Sequence, residues 1–210
     1  PVEIFVENPG ETAYIDLLLH WFTKAGLSFT NDHHTHYTLP GGQIPKSFDE
    51  EIPLEWSAPG YPLLSAILTP NSEIRIAGMD TSDPYGDKEV ISILQNMGAD
   101  IRWEEGARVA RSSNLHGITV EMNKLPDQLP TIAVAACFAH GETTITNTKI
   151  ARWKECDRIA AIVKELTKMG AKITEREDGL TVHQDGTWTL SGAAVDGYYD
   201  HRMVMALSVA

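Results

Sequence analysis

Apolar residues recur along this chain with two different periods, and their alternation predicts its elements. In Glu73–Ala77, Ile74 and Ile76 alternate with polar neighbours, the period of a half-buried strand. Val90, Ile91, Leu94 and Met97 then fall on one face at helical spacing, and Gly98 stands where a helix would close on a left-handed residue. Residues 100–103 and 117–121 read as two further strands. The apolar stretch 62–68 precedes the set, and a turn-rich stretch, 80–87, separates its first strand from its helix. The same order then returns. Residues 131–139 form an apolar, buried helix, and 143–147 a strand. A helix over 154–169 carries Ile159, Ile162, Val163, Leu166 and Met169 on one face, with Gly170 as its cap, and strands follow at 172–175 and 180–183. Met97-Gly98-Ala99 and Met169-Gly170-Ala171 occupy the same place in the two units. A degenerate copy opens the chain: a strand at 3–6, a helix at 14–24, Gly26 as cap and a strand at 37–39.

A repeated helix–strand–helix–strand–strand unit excludes a pure bundle and a pure sandwich, and predicts a mixed α/β (α+β) fold. A hinge or domain crossing is expected within 40–62, which holds Gly41-Gly42, several prolines and the acidic run Asp49-Glu50-Glu51.

Of the 210 residues, 42% are hydrophobic, enough for a sizeable core. The net charge of −12 argues against a nucleic-acid partner, which selects a basic face. It does not exclude anionic ligands, because a few converging cations dominate the field of a cleft. No apolar run approaches the roughly 20 residues of a membrane span. The two cysteines, Cys137 and Cys156, make no disulfide framework and fit a reducing cytoplasm or organelle interior, and a cytoplasmic location is expected. The chain opens at Pro1 directly on a strand-like run and closes at Ala210 inside an apolar helical one, so a piece of a longer protein is expected.

Four motifs could carry chemistry. Arg152-Trp153-Lys154-Glu155-Cys156-Asp157-Arg158 heads a helix. Placed on that helix, Lys154 and Arg158 share a face near its positive end, either as a clamp for phosphate or carboxylate or as a salt-bridged surface start. Asp200-His201-Arg202-Met203 reads as a helix start with Asp200 as N-cap. Arg202 in its first turn opposes the helix dipole unless an anion compensates. In Leu125-Pro126-Asp127-Gln128-Leu129-Pro130, Asp127 is either the cap of the next helix or a positioned carboxylate. His33-His34-Thr35-His36 matches no usual zinc spacing and reads as loop histidines, so no metal is expected.

Leu-Pro-Asp-Gln-Leu-Pro-Thr, Lys-Glu-Cys-Asp-Arg and Asp-His-Arg-Met follow one another here as they do in 5-enolpyruvylshikimate-3-phosphate synthases, and Ala13-Tyr14-Ile15-Asp16 heads a helix as in that family. The chain resembles about half of a typical member. The resemblance implies an enolpyruvyl transferase fold of two lobes, each of three helix-and-sheet units, incomplete in this chain. Residues 1–50 would be the last, partial unit of one lobe. Residues 51–210 would be part of the second lobe, with two units and the start of a third. It implies transfer of the enolpyruvyl group of phosphoenolpyruvate to the 5-hydroxyl of shikimate-3-phosphate, with release of phosphate and without cofactor or metal.

By the same resemblance, Asp127 and Glu155 are the acid/base carboxylates, and Lys154 joins them in the chemistry and lies between the two substrates. Arg158 and Arg202 hold phosphoenolpyruvate with His201 close by, and Tyr14, Asp127 and Lys154 line the shikimate-3-phosphate side. Family members often have Ser where Glu11 stands, and some have Asn where Ile150 stands. The family's other substrate-binding segments would lie outside this chain, so an isolated chain is expected to hold part of the site, to be inactive alone, and to need the rest of its parent. The rivals are UDP-N-acetylglucosamine enolpyruvyl transferase and a non-catalytic binding module that keeps the scaffold.

Overall fold

The computed structural model describes residues 1–52, 54–79 and 85–210. Residues 80–84 of the expected turn-rich stretch and Pro53 of the expected hinge lie outside the described residues; Gly86–Lys88 form a 3-10 turn.

The first segment holds β1 (Val2–Phe5), α1 (Thr12–Lys24), β2 (Thr30–Asp32) and β3 (His36–Leu39), with the antiparallel strand order β1-β3-β2. It adds little to the interior. None of the residues of α1 is buried, and Tyr37 is the one buried residue among those described before Trp56.

The next unit runs α2 (Gly60–Leu68), β4 (Glu73–Ala77), α3 (Glu89–Asn96), β5 (Asp100–Glu104), β6 (Ala107–Arg111). Its last strand differs from the sequence expectation, which gave that place to 117–121. Glu105 and Gly106 both take positive φ, 48° and 76°, and make the two-residue turn that right-twisted hairpins favour. The chain therefore returns at once as β6 and pairs on both sides, giving the order β4-β6-β5. The strand expected at 117–121 is the short β7 (Thr119–Glu121), which belongs to the following sheet, where it pairs parallel with β8 (Gly141–Thr146). That sheet has the order β7-β8-β10-β9, with β9 (Ile173–Arg176) and β10 (Gly179–Gln184).

Two helices complete the third unit, α4 (Leu129–Phe138) and α5 (Arg158–Lys168), and α6 (His201–Val209) follows. The repeated Met-Gly-Ala triplets close α3 and α5 in the same way. Gly98 and Gly170 are left-handed at φ 102° and 101°. The amides of Ala99 and Ala171 reach back to the carbonyls of Leu94 (2.9 Å) and Leu166 (3.0 Å), satisfying groups a helix end leaves open.

α5 begins four residues later than expected. The Asp157 carboxylate accepts from the Ala160 amide at 3.0 Å and caps the helix, a bond typically worth about 1 kcal/mol. Ahead of it, Lys149–Trp153 is a 3-10 turn, and Lys154 is extended at φ −86°, ψ −156°. Lys154 and Arg158 therefore do not share a helix face.

α4 is the central pillar. Every residue of it except Phe138 is buried, and it packs against α2, α5, α6, β8 and β10. The apolar core gathered round it extends from Trp56 to Leu207.

Candidate active site

The ends of several elements meet beside the N-terminal end of α4, and their polar side chains converge on Asp127. This residue sits in the 3-10 turn Pro126–Gln128, between buried Pro126 and buried Gln128, whose amide donates to the Ser57 carbonyl at 2.9 Å. Its side chain makes no cap bond to α4; Gln128 holds the N-cap position there. The capping alternative for Asp127 is therefore set aside.

Each Asp127 oxygen has two partners. Oδ1 accepts from Arg158 Nη1 at 2.7 Å and lies 3.4 Å from Lys154 Nζ. Oδ2 lies 3.0 Å from Arg202 Nη2 and accepts from Tyr14 Oη at 3.2 Å. Burial pushes the carboxyl up, but Arg202, Lys154 and Arg158 together outweigh burial and hold it below the usual aspartate range. Asp127 is thus a weak base, ionised at neutral pH.

Arg158, at the first position of α5, is 1% exposed and spends its fork on carboxylates. Besides Asp127 it meets Asp200 (Nε to Oδ2, 2.7 Å) and Glu155 (Nη2 to Oε2, 2.6 Å). Asp200 is fully buried and also caps α6, accepting from the Arg202 amide at 2.8 Å, as its position in the sequence suggests. Lys154 forms an ion pair with Glu11 as well as Asp127. Glu11 takes up the left-handed N-cap position of α1 at φ 51°, so the residue that departs from the family pattern covers the site lysine.

Of the residues expected from sequence, Tyr14, Asp127, Lys154, Glu155, Arg158 and Arg202 are joined in this one network. His201 is exposed at the start of α6 and has no hydrogen bond or ion pair with the described residues. His33, His34 and His36 go to separate partners: Asp32, Asp16 with Tyr37, and Glu3. No group of three or more metal-ligating side chains occurs among the described residues.

Sequence reasoning missed Asp87, Glu55, Tyr61 and Tyr85. Asp87 is fully buried and accepts from Tyr14 Oη at 3.1 Å. Burial first, then the nearby Asp127 charge, pushes its carboxyl up to about 6. Tyr85 donates to Glu55 at 3.4 Å. Tyr61 lies buried beside Arg202 and Thr131, and its hydroxyl has no hydrogen bond of good geometry among the described residues. Asp87 stands in Gly86-Asp87-Lys88, where no spacing marks it; only the fold brings it to Tyr14.

The sequence pattern of the EPSP synthases (3-phosphoshikimate 1-carboxyvinyltransferases) matches residues 3–210. The chain belongs to the EPSP synthase family. A 3-phosphoshikimate 1-carboxyvinyltransferase of Ruminiclostridium cellulolyticum is 41% identical over 200 residues, 95% of this chain and 46% of the relative. One from Methanococcus aeolicus is 38% identical over 94% of this chain and 46% of its own length. The chain thus spans about half the length of the curated relatives it matches. Among solved structures, the EPSP synthase of Acinetobacter baumannii superposes with a TM-score of 0.76 at 24% identity, over 99% of this chain and 49% of that one. An enolpyruvyl transferase from Streptomyces tendae gives 0.68 at 14% identity over 99% and 48%. These last two establish the enolpyruvyl transferase fold, incomplete here. No described helix is long and apolar enough to cross a membrane.

Proposed function

We propose that this chain carries part of the site at which the enolpyruvyl group of phosphoenolpyruvate passes to the 5-hydroxyl of shikimate-3-phosphate. The observation that carries the reading is Asp127, a single ionised carboxylate with Lys154, Arg158 and Arg202 on it and Tyr14 alongside. Family membership supplies the reaction class. The 5-hydroxyl oxygen bonds to C2 of phosphoenolpyruvate as its proton leaves to a base and C3 gains a proton. Phosphate then departs and a C3 proton is lost, restoring the double bond. Asp127, Glu155 and Lys154 are the groups that move protons. Arg158, Arg202, His201 and Lys154 serve phosphoenolpyruvate, and Tyr14, Asp127 and Lys154 serve shikimate-3-phosphate. The cations offset anionic charge without a metal or cofactor.

Residues 1–50 belong to one lobe and 51–210 to the other, and the rest of the parent chain supplies the remaining substrate contacts. The absence of burial in α1, against the continuous core from Trp56 onward, supports that division. A cytoplasmic location agrees with two unbridged cysteines, Cys137 and Cys156.

The test is phosphate release by the full-length protein. Turnover is expected with phosphoenolpyruvate plus shikimate-3-phosphate and not with UDP-N-acetylglucosamine. Turnover with the nucleotide sugar alone, or with neither, overturns the reading.

The pairing of Glu11 with Lys154 has its own consequence. An anionic substrate reaching Lys154 has to displace the Glu11 carboxylate. Glu11→Gln removes that competitor. A part-exposed pair is typically worth about 0.2–1 kcal/mol, so phosphate-bearing ligands should bind up to about fivefold more tightly, with the gain shrinking as salt rises. Calorimetric titration of both proteins with shikimate-3-phosphate checks this. Equal affinity at low salt would mean that Glu11 does not compete for Lys154.

A further inference from the structure

The Tyr14 hydroxyl stands between two carboxylates, 3.1 Å from Asp87 Oδ2 and 3.2 Å from Asp127 Oδ2. A phenol has one proton to donate. With both carboxylates ionised, one of these two oxygen–oxygen contacts has no hydrogen in it. A further proton on either carboxylate completes the chain: acid to Tyr14 oxygen, Tyr14 hydrogen to the other carboxylate.

The two ends are built differently. Asp127 is 14% exposed and carries Lys154, Arg158 and Arg202. Asp87 is fully buried, and among the described residues its Oδ1 has no hydrogen-bond partner. Among the described residues, the groups that face Asp87 are Tyr14 from α1, Tyr85 beside it in the chain, Asp127 from the turn before α4, Arg202 from α6 and Glu55 from the segment before α2. None of these is a cation bonded to it. Asp87 is therefore the place where a proton offsets the most unfavourable charge.

Resting on the reading of Asp127 as a proton-moving group, we infer that Asp87 is the terminal acceptor of protons that enter at Asp127, passed on through the Tyr14 hydroxyl. In the step, protonated Asp127 gives its proton to Tyr14 Oη as Tyr14 gives its own to Asp87 Oδ2. The phenol ends as a phenol, Asp127 regains its negative charge beside its three cations, and Asp87 becomes neutral in its buried site. The transfer runs downhill, because Asp127 is held below the usual range while Asp87 is pushed up to about 6. Tyr14 itself is held strongly in its protonated form by burial and the two carboxylates, so it conducts without accumulating as tyrosinate. Asp87 touches no substrate in this scheme; it holds the proton while Asp127 is reset, and the reverse transfer through Tyr14 and Asp127 returns it to the departing phosphate, so that Asp87 is ionised again before the next turnover.

Two measurements test this. The first needs no turnover. An infrared titration of the full-length protein should show the carbonyl stretch of a protonated aspartic acid that disappears with a midpoint near 6, and Asp87→Asn should lack it. If no such band titrates in the unsubstituted protein, the relay is overturned, whatever the variant does. The second follows turnover. Asp87→Asn should lower kcat about 10²-fold, the low end of a general acid–base contribution, with KM little changed. The unsubstituted protein should lose kcat as pH falls below about 6, where protonated Asp87 can no longer accept, and this fall should be absent in the variant. An unaltered acid limb in Asp87→Asn would overturn the relay. Absence of turnover in the unsubstituted protein would overturn the proposed function instead, and the infrared titration alone would then decide the relay.

Discussion

Asp127→Asn should lower turnover of the full-length protein by about 10²–10⁴-fold, the range of a lost general acid–base group. The substitution keeps the shape of the side chain and costs no helix cap, because Asp127 makes no cap bond to α4. It removes the negative charge on which Lys154, Arg158 and Arg202 converge, so stability falls as well. Leaving a buried charge uncompensated typically costs about 3–5 kcal/mol. Arg158 keeps Asp200 and Glu155, so the cost here belongs at or below the lower end of that range. The pH dependence has a definite sign. A carboxyl held below its ordinary value contributes stability that is present above the unfolded pKa, near 3.8, and lost as pH falls through the lower folded value. The stability gap between wild type and variant should therefore close in acid. Steady-state kinetics and urea melts at pH 7 and pH 3 check both parts. Wild-type turnover in the variant would make Asp127 structural and move the proton chemistry to Glu155 and Lys154.

The largest stability loss is expected for Arg158→Ala. Its guanidinium is 1% exposed and bonds Asp200, Asp127 and Glu155 at once. Alanine leaves Asp200, itself fully buried, without its cation. A broken buried pair costs about 3–5 kcal/mol, a large part of the about 5–15 kcal/mol that holds a typical domain. Arg158→Lys keeps the charge but not the planar fork, and it should recover only part of the loss. The urea midpoint of the two variants against wild type is the measurement. Burial alone would push Asp200 up, and the bonds from Arg158 reverse that and hold it below the usual range. The advantage of wild type over Arg158→Ala should accordingly be full at neutral pH and shrink as pH falls through the folded value of Asp200. A midpoint within experimental error of wild type would mean that the three carboxylates find other partners.

Much of this arrangement was legible in the chain. Strand Glu73–Ala77, the glycine closures at Gly98 and Gly170, and the Asp200 cap follow from short-range pattern and sit where that pattern puts them. What was missed depends on distance. β6 reads Ala-Arg-Val-Ala-Arg, with little strand propensity, and becomes a strand because β4 and β5 pair with it on both sides. β2 is three exposed residues with no apolar alternation to reveal them. The start of α5 was placed too early because Lys154 and Glu155 are good helix formers, whereas the Asp157 cap depends on one side-chain bond. In the site, Asp127, Lys154 and Arg158 lay in motifs that resemble a known family. Asp87 did not. One of several aspartates in a turn-rich stretch, it becomes chemically distinct only when Tyr14, far away in sequence, is folded against it. The Glu11 carboxylate stood out as a departure from the family pattern, and its pairing with Lys154 appears only in three dimensions.

The lack of any buried residue in α1 bears on how the site comes apart. Two layers of different cohesion meet at Asp127. Behind it, α4 is immersed in core, and its amides are expected to exchange with solvent only through openings close to global unfolding. In front, Tyr14 and Glu11 reach across from a helix with no buried residue, tied here by polar side chains and by the Tyr14–Tyr85 and Ala13–Gly86 contacts. Such a helix is expected to open more often than the core. Any ligand that bridges Tyr14 and Asp127 prefers the closed form and stabilises it in proportion to the logarithm of its concentration over Kd. Hydrogen exchange along α1 is thereby a direct meter of occupancy at Asp127, one that α4 cannot provide.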